Sequence, residues 1–321
     1  MTHKEGKDFR KFLFALTIEN LINFKRKVFQ EANIDTVILI FSRRRKRKNI
    51  IKAIDIQNPE EVLAIENYNL IDQSKFEELD KFNCSFTPKQ LQVIDKILKD
   101  TNKIDDFFTV VGGYKPYQIG YGKSITGNFP QIESDIKNRV YHSTTKINNS
   151  YYADIKGSNI NRYFIAKNSQ WVNWGSWLMS PKKMEYFLNP KIVVREIAGE
   201  YLFSSYDDLG YFTNDTTHMI LSNGDLSHIK SLLGIINSRL YGWYFKNIYA
   251  EDSGLFPKVK INEIKSLPLK KGFSNPDLSS MVDIMLEKNK ELNQLSEQFT
   301  KLLQTKFLPP TSIINYNNGI H

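Results

Sequence analysis

Cysteine is almost absent. Cys84 is the only one in 321 residues, so no disulfide can form within the chain, and a reducing cytoplasm is the expected setting. The five histidines (His3, His142, His218, His228, His321) share no metal-ligand spacing with one another or with Cys84, and no metal site is expected. Long apolar runs are missing too. "FLFAL" near the start and "VILIF" further on are too short for a signal-peptide core or a membrane span. A soluble, unexported chain with no membrane partner is expected. No Gly-x-Ser-x-Gly or His-Glu-x-x-His occurs, and the acidic residues are too scattered to single out an acid–base pair, so no catalytic residue is assigned.

What the chain does contain is a sizeable apolar fraction, 41% with 13% aromatic, enough to fill the cores of two domains. Its net charge of +9 is uneven: residues 1–56 hold 14 Lys/Arg against 6 Asp/Glu, and the remainder nearly cancels at 30 against 29. The densest cluster is "RRRKRK": Arg43, Arg44, Arg45, Lys46, Arg47 and Lys48, between the strand-like "TVILIF" and "NIIKAIDI". A basic hairpin tip is the economical reading, either a solvated turn or a phosphate-contacting footprint.

A second unusual stretch is "GGYKPYQIGYGKSITG" at 112–127, with five glycines, three tyrosines, two lysines and no acid. Gly122, Lys123 and Ser124 imitate the end of a phosphate-binding P-loop, but Tyr117 stands where its first glycine belongs, and Gly127 and Pro130 obstruct the helix that should follow. A nucleotide site is therefore rejected.

Organisation follows from periodicity. Residues 1–56 read as the edge of an α/β sheet whose buried "VILIF" demands neighbours on both faces. Residues 57–87 read as a connector. A proline-started amphipathic helix from Pro88 opens a second domain, expected to run over 88–308. Within it "LSHIKSLLGIINSRLYGWYF" reads as one helix with Ile229, Leu232, Leu233, Ile236, Leu240, Trp243 and Tyr244 on its core face. A long helix at about 278–307 carries a heptad seam of Leu278, Met281, Met285, Leu292, Leu295, Phe299 and Leu302, interrupted by Lys288. The tail 309–321 is expected to be loose. "EDSGLFPKVKINEIK" can be forced into a nuclease pattern through Asp252, Glu263 and Lys265, a short match that also reads as a turn closing a strand.

Three stretches converge on one family. "FRKFLFALTIENLINFKRKVFQEANIDTVILIF" resembles the closing part of the γ-type adenine-N6 DNA methyltransferases. "NPKIVVREIAGEYLFSSYDDLGYFTNDTTHMI" and "LLGIINSRLYGWYFKNIYAEDSGLFPKVKINEIKSLPL" look like the specificity domain of TaqI-like methyltransferases and of fused type IIG restriction-modification enzymes, as does the Gly-x-x-Ile-x-x-Tyr strand in "ADIKGSNINRYFI". The family's catalytic Asn-Pro-Pro-Tyr is unmatched, because "NPEE", "NPKI" and "NPDL" all fail at their third residue, and the S-adenosylmethionine loop is missing.

The resemblance implies an α+β protein: the edge of a Rossmann-like methyltransferase sheet followed by a mixed α/β target-recognition domain with a long C-terminal helix. It implies double-stranded DNA as partner in a bacterial restriction-modification system. A catalytic half on another chain would bind S-adenosylmethionine, with no cofactor held by this chain. Phe29 falls where the family packs an aromatic on the flipped adenine, with ordinary sheet-edge core as the alternative. The segment "GGYKPYQIGYGK" sits where these domains carry a glycine-rich loop, and the resemblance implies close approach to DNA, with Lys115 and Lys123 meeting phosphates and Tyr114, Tyr117, Gln118 and Tyr121 contacting sugar or base edges. For that loop a purely structural turn is the alternative. Two other readings stand beside this one: a helical interaction subunit built on the terminal heptads, and the metal-dependent nuclease.

Overall fold

The computed structural model describes residues 6–32, 34–127, 129–166, 170–224, 226–249 and 258–307. Contacts divide the chain into two compact units, Met1–Thr101 and Asn102–His321. The architecture is mixed α/β, with several small sheets and a long C-terminal helix. Among the described residues no helix is long and apolar enough to cross a membrane.

In the first unit a helix, Gly6–Phe14, leads into the strand Thr17–Phe24, which is buried along most of its length. The sheet order is Thr36–Ser42, Thr17–Phe24, Ile50–Ile56, Asn69–Asp72. Thr17–Phe24 pairs antiparallel with Thr36–Ser42 and parallel with Ile50–Ile56. The two strands flanking the cation run therefore do not form the expected hairpin, because an earlier strand lies between them. Nor is "VILIF" a buried strand: among the described strands Thr36–Ser42 stands at the sheet edge, with Val37, Ile40 and Phe41 exposed.

Residues 57–87, read above as a connector, supply the fourth strand and the helix Gln73–Leu79, whose Phe76 is fully buried. Gln73 reaches into the sheet, accepting from Ile18 N at 3.1 Å and donating to Leu16 O at 2.8 Å. The helix Pro88–Leu98 has its expected proline start and a Thr87/Gln90 capping box, yet it closes the first unit instead of opening the second. The boundary lies at 101/102 and not at 87/88.

The second unit is built on an antiparallel sheet ordered Ser204–Asp207, Lys191–Arg195, Thr217–Ser222, Phe108–Gly112. The apolar run "IVV" of Lys191–Arg195 is buried throughout, as a central strand covered on both faces requires. A smaller sheet is ordered Phe212–Thr213, Tyr151–Ile155, Gln170–Asn173, His142–Ser143. "LSHIKSLLGIINSRLYGWYF" is two helices, Ile229–Ile236 and Arg239–Ile248. Ser238 breaks the run: its backbone is extended and its Oγ accepts the N–H of Tyr241 at 3.2 Å, an N-cap that starts a new helix. Leu240 is consequently exposed, outside the core face expected for it. The long helix spans Pro276–Phe307.

Candidate nucleic-acid interface

In the first unit the six cations Arg43 to Lys48 are all exposed on the connection that passes over the start of Thr17–Phe24. Thr17 holds this connection in place: its Oγ1 donates to Arg44 O at 2.6 Å and accepts from Lys46 N at 2.8 Å. Arg45 turns back to donate to Leu16 O at 3.2 Å and to pair with Glu77. That guanidinium is a strut. Among the described residues the side chains of Arg43, Arg44, Lys46, Arg47 and Lys48 carry no such tie.

Phe29 lies in the connection after Phe24, at the opposite end of the same sheet, because Phe24 pairs with Thr36 and Thr17 with Ser42. It is 53% exposed, so the sheet-edge core reading is overturned. Its neighbour Val28 packs on the cluster of Ile22, Phe24 and Ile56 instead. Phe29 thus sits at the carboxyl ends of the parallel pair, the end where open α/β sheets take ligands, and the cations sit at the amino end.

In the second unit the glycine-rich loop leaves the strand Phe108–Gly112 through Gly113, where a Cβ would lie 1.9 Å from Asn214 O. Only glycine fits. The next residue, Tyr114, is fully buried and donates through Oη to Asp154 Oδ1 at 2.6 Å, with His142 Nε2 at 3.3 Å. Tyr117 Oη lies 2.8 Å from His142 Nδ1 and accepts the N–H of Tyr141 at 2.9 Å. With Asp154 ionised and accepting from Tyr114, one proton per hydroxyl leaves Nε2 carrying the hydrogen and Nδ1 accepting from Tyr117. A neutral ring fits, since burial, helped by the charge of Arg139, lowers His142 to about 4. Burial pushes the Asp154 carboxyl up to about 7, against the hydrogen bond from Tyr114.

Gln131 ties the loop together. Its Nε2 donates to Pro116 O at 3.0 Å and Trp177 O at 3.1 Å, and its Oε1 accepts Gln118 N at 2.9 Å. Lys123 N also donates to Trp177 O at 2.9 Å, and Gly122, at φ +60°, would bring a Cβ within 2.5 Å of that same oxygen. This frame leaves Ile119, Tyr121, Lys123, Ile125 and Phe129 exposed. Beside them is a shallow recess of about 370 Å³ lined by Lys123, Ser124, Ile125, Gly127, Tyr141, Asn173 and Trp177.

Four of the loop residues expected to face DNA are therefore placed otherwise. Tyr114 and Tyr117 turn inward, and the half-buried Lys115 donates to the half-buried Gln118 at 3.0 Å. Tyr121 and Lys123 are exposed as expected. The glycines at 113 and 122 serve backbone-on-backbone packing within the unit. Sequence reasoning missed Asp154, His142, Gln131 and Trp177, which build the frame. It also missed Ile119, Ile125 and Phe129 at the tip, although large apolar residues beside glycines in a polar loop were a readable sign.

The nuclease pattern gains nothing. Asp252 lies outside the described residues, Glu263 Oε2 accepts Lys260 N at 2.8 Å as a helix cap, and Lys265 pairs with Asp105 at 3.0 Å. Among the described residues no group of three His, Cys, Asp or Glu side chains could hold a metal ion.

Residues 152–269 match the family model of the TaqI-like C-terminal specificity domain. The match contains Asp154 and Trp177 and begins after the glycine-rich loop. No curated protein matches the chain. Similar solved structures include the type IIL restriction-modification enzyme MmeI in complex with DNA, at 9% identity and a TM-score of 0.41, covering 79% of this chain and 35% of that one. The type IIG restriction endonuclease BpuSI is similar at 12% identity and a TM-score of 0.39, covering 88% and 40%. The S subunit of a type I restriction-modification system from M. genitalium is similar at 13% identity and 0.34, covering 64% and 43%. The chain thus spans less than half the length of each of these proteins.

Proposed function

We propose that this chain, which carries a TaqI-like specificity domain over residues 152–269, reads DNA sequence for a restriction-modification system in the cytoplasm. The family match carries the reading. The loop supports it: a hydrogen-bonded frame holds Tyr121 and Lys123 out to solvent, the arrangement by which a fixed side chain reads a base edge while a neighbouring cation meets a phosphate. The exposed cations of the first unit add a sequence-independent term, since each neutralised phosphate releases counterions.

In this proposal the reaction directed is adenine-N6 methylation, with S-adenosylmethionine as donor and the Asn-Pro-Pro-Tyr machinery supplied from outside this sequence. Phe29 fits a part in it. Half-exposed at the carboxyl ends of the parallel strands, it can stack on a base that has left the duplex. Selection of duplexes from a random library by the purified chain tests the central claim. An enriched motif that Tyr121→Ala blurs, the lost specific contact costing about 1–3 kcal/mol, while Lys123→Ala weakens binding evenly across sequences, is the expected result. Binding without any enriched motif would sink it.

A further inference from the structure

The helix Pro276–Phe307 is fastened to its unit only at its beginning. Val282 is buried against the helix Ile229–Ile236, where Gly234 allows the approach: a Cβ there would lie 2.9 Å from Val282 Cγ2 and 3.0 Å from Leu278 Cδ1. Ser231 and Ser279 hydroxyls meet at 2.8 Å beside it, and Lys230 pairs with Asp283. Beyond this clasp the helix emerges. From Gln294 to Lys306 every residue is exposed, around the whole circumference.

The apolar residues of that emergent part are not scattered. Met285, Leu292, Leu295, Phe299 and Leu302 follow the alternating spacing of a heptad seam, with Leu292 at 65%, Leu295 at 62% and Phe299 at 61% exposure. A helix left with such a stripe bare to water gains by covering it with another helix. Two seam positions are charged: Lys306 at the end of the helix and, in mid-seam, Lys288, which pairs along its own helix with Glu291 at 2.8 Å. Lys288 discriminates between possible occupants.

We propose that the seam is covered by the same helix of a second copy of this chain, running antiparallel. In a parallel pair Lys288 would face Lys288 of the second copy inside the seam, two like charges in a layer meant to exclude water. In an antiparallel pair centred between Asn293 and Gln294, Leu292 faces Leu295 of the second copy and Met285 faces its Leu302. Lys288 then faces its Phe299, where an ammonium meets an aromatic ring. The flanking positions agree: Glu291 lies beside Gln298 of the second copy and Asn289 beside its Ser296, with no like charges opposed. A slip of one heptad in one direction sets Lys288 against Lys306. A slip in the other direction sets Leu302 against Leu278, which is already packed on Gly234. One register therefore remains in which every layer from Met285 to Leu302 is satisfied by this chain's own sequence, with Met281 against the apolar stem of Lys306 of the second copy at each end, the self-complementarity of a two-fold contact. The inference is independent of the reading of the loop.

Sedimentation equilibrium of the full chain up to about 100 µM is the first test, and a reversible monomer–dimer equilibrium is expected. Leu292→Asp combined with Leu295→Asp should weaken association by more than about tenfold. Both side chains are exposed, so an unchanged melting temperature will confirm that the variant is folded. Direction is read by disulfide trapping. A mixture of Met285→Cys and Leu302→Cys chains should cross-link, and neither variant should cross-link alone. Lys288→Leu should tighten association and, by removing the repelling layer, let Met285→Cys chains trap one another. A chain monomeric throughout, a dimer indifferent to the double Asp variant, Met285→Cys trapping itself with Lys288 in place, or a seam occupied only by a helix of another protein would each overturn the proposal.

Discussion

His142 and Asp154 are joined through Tyr114, and their titrations pull stability in opposite directions. Asp154 is raised from 3.8 to about 7, so between those values the folded chain keeps a proton that the unfolded chain has lost, and its contribution falls as pH rises. His142 is lowered from 6.5 to about 4, so across that range the unfolded chain holds the extra proton, and its contribution rises with pH. The two largely offset each other between about pH 4 and 6.5. Removing either should expose the other. The melting temperature of Asp154→Asn should climb from pH 4 to 6.5, that of His142→Gln should fall from pH 4 to 7, and flat profiles in both would refute the pairing. A glycine pair separates strain from collision. Gly120, at φ +82° with open space around it, should lose about 1 kcal/mol as alanine, from backbone strain alone. Gly122 should lose more, because its Cβ also strikes Trp177 O, and denaturant midpoints of the two variants will show whether it does.

At the scale of elements the loop divides into frame and tip, and variants should divide with it. Gln131→Ala leaves Gln118 N without its acceptor, while Pro116 O and Trp177 O keep Met179 N and Lys123 N as donors, and should cost stability, about 1–3 kcal/mol for the group left unsatisfied. Tyr121→Ala and Lys123→Ala should leave the melting temperature alone and change only DNA binding. The glycine spacing made a tight loop legible in the sequence, but not that two of its tyrosines turn inward. Their partners are remote: His142 is 28 residues and Asp154 is 40 residues beyond Tyr114, and no local pattern announces such pairings. Strand order was hidden for a related reason. Two strands adjacent in sequence read as a hairpin, whereas here the preceding strand fills the slot between them and the connection of seven residues, Arg43–Asn49, spans roughly 10 Å across it. The long helix was legible almost to the residue, since a sustained heptad needs no distant partner to be seen. The break at Ser238 was not, because apolar spacing continued across a residue whose hydroxyl caps a new helix.

At the scale of the whole molecule the charge of +9 should govern the salt dependence of DNA binding, each phosphate contact adding about 0.9 to the slope of log affinity against log salt. Neutralising Arg43, Arg44, Lys46, Arg47 and Lys48 while keeping Arg45 should flatten that slope without unfolding the first unit. An unchanged slope would move the footprint elsewhere. Where those contacts fall along the duplex follows from the first sheet. Phe29 and the cation run stand at opposite ends of an eight-residue strand, about 26 Å long at 3.3 Å per residue. In the role proposed for Phe29, a duplex touching both would be gripped about eight base-pair steps, at 3.4 Å each, away from the base stacked on it. Ethylation interference would then map a patch of essential phosphates about eight steps from the flipped base, so that shortening a substrate duplex on that side alone should weaken its hold.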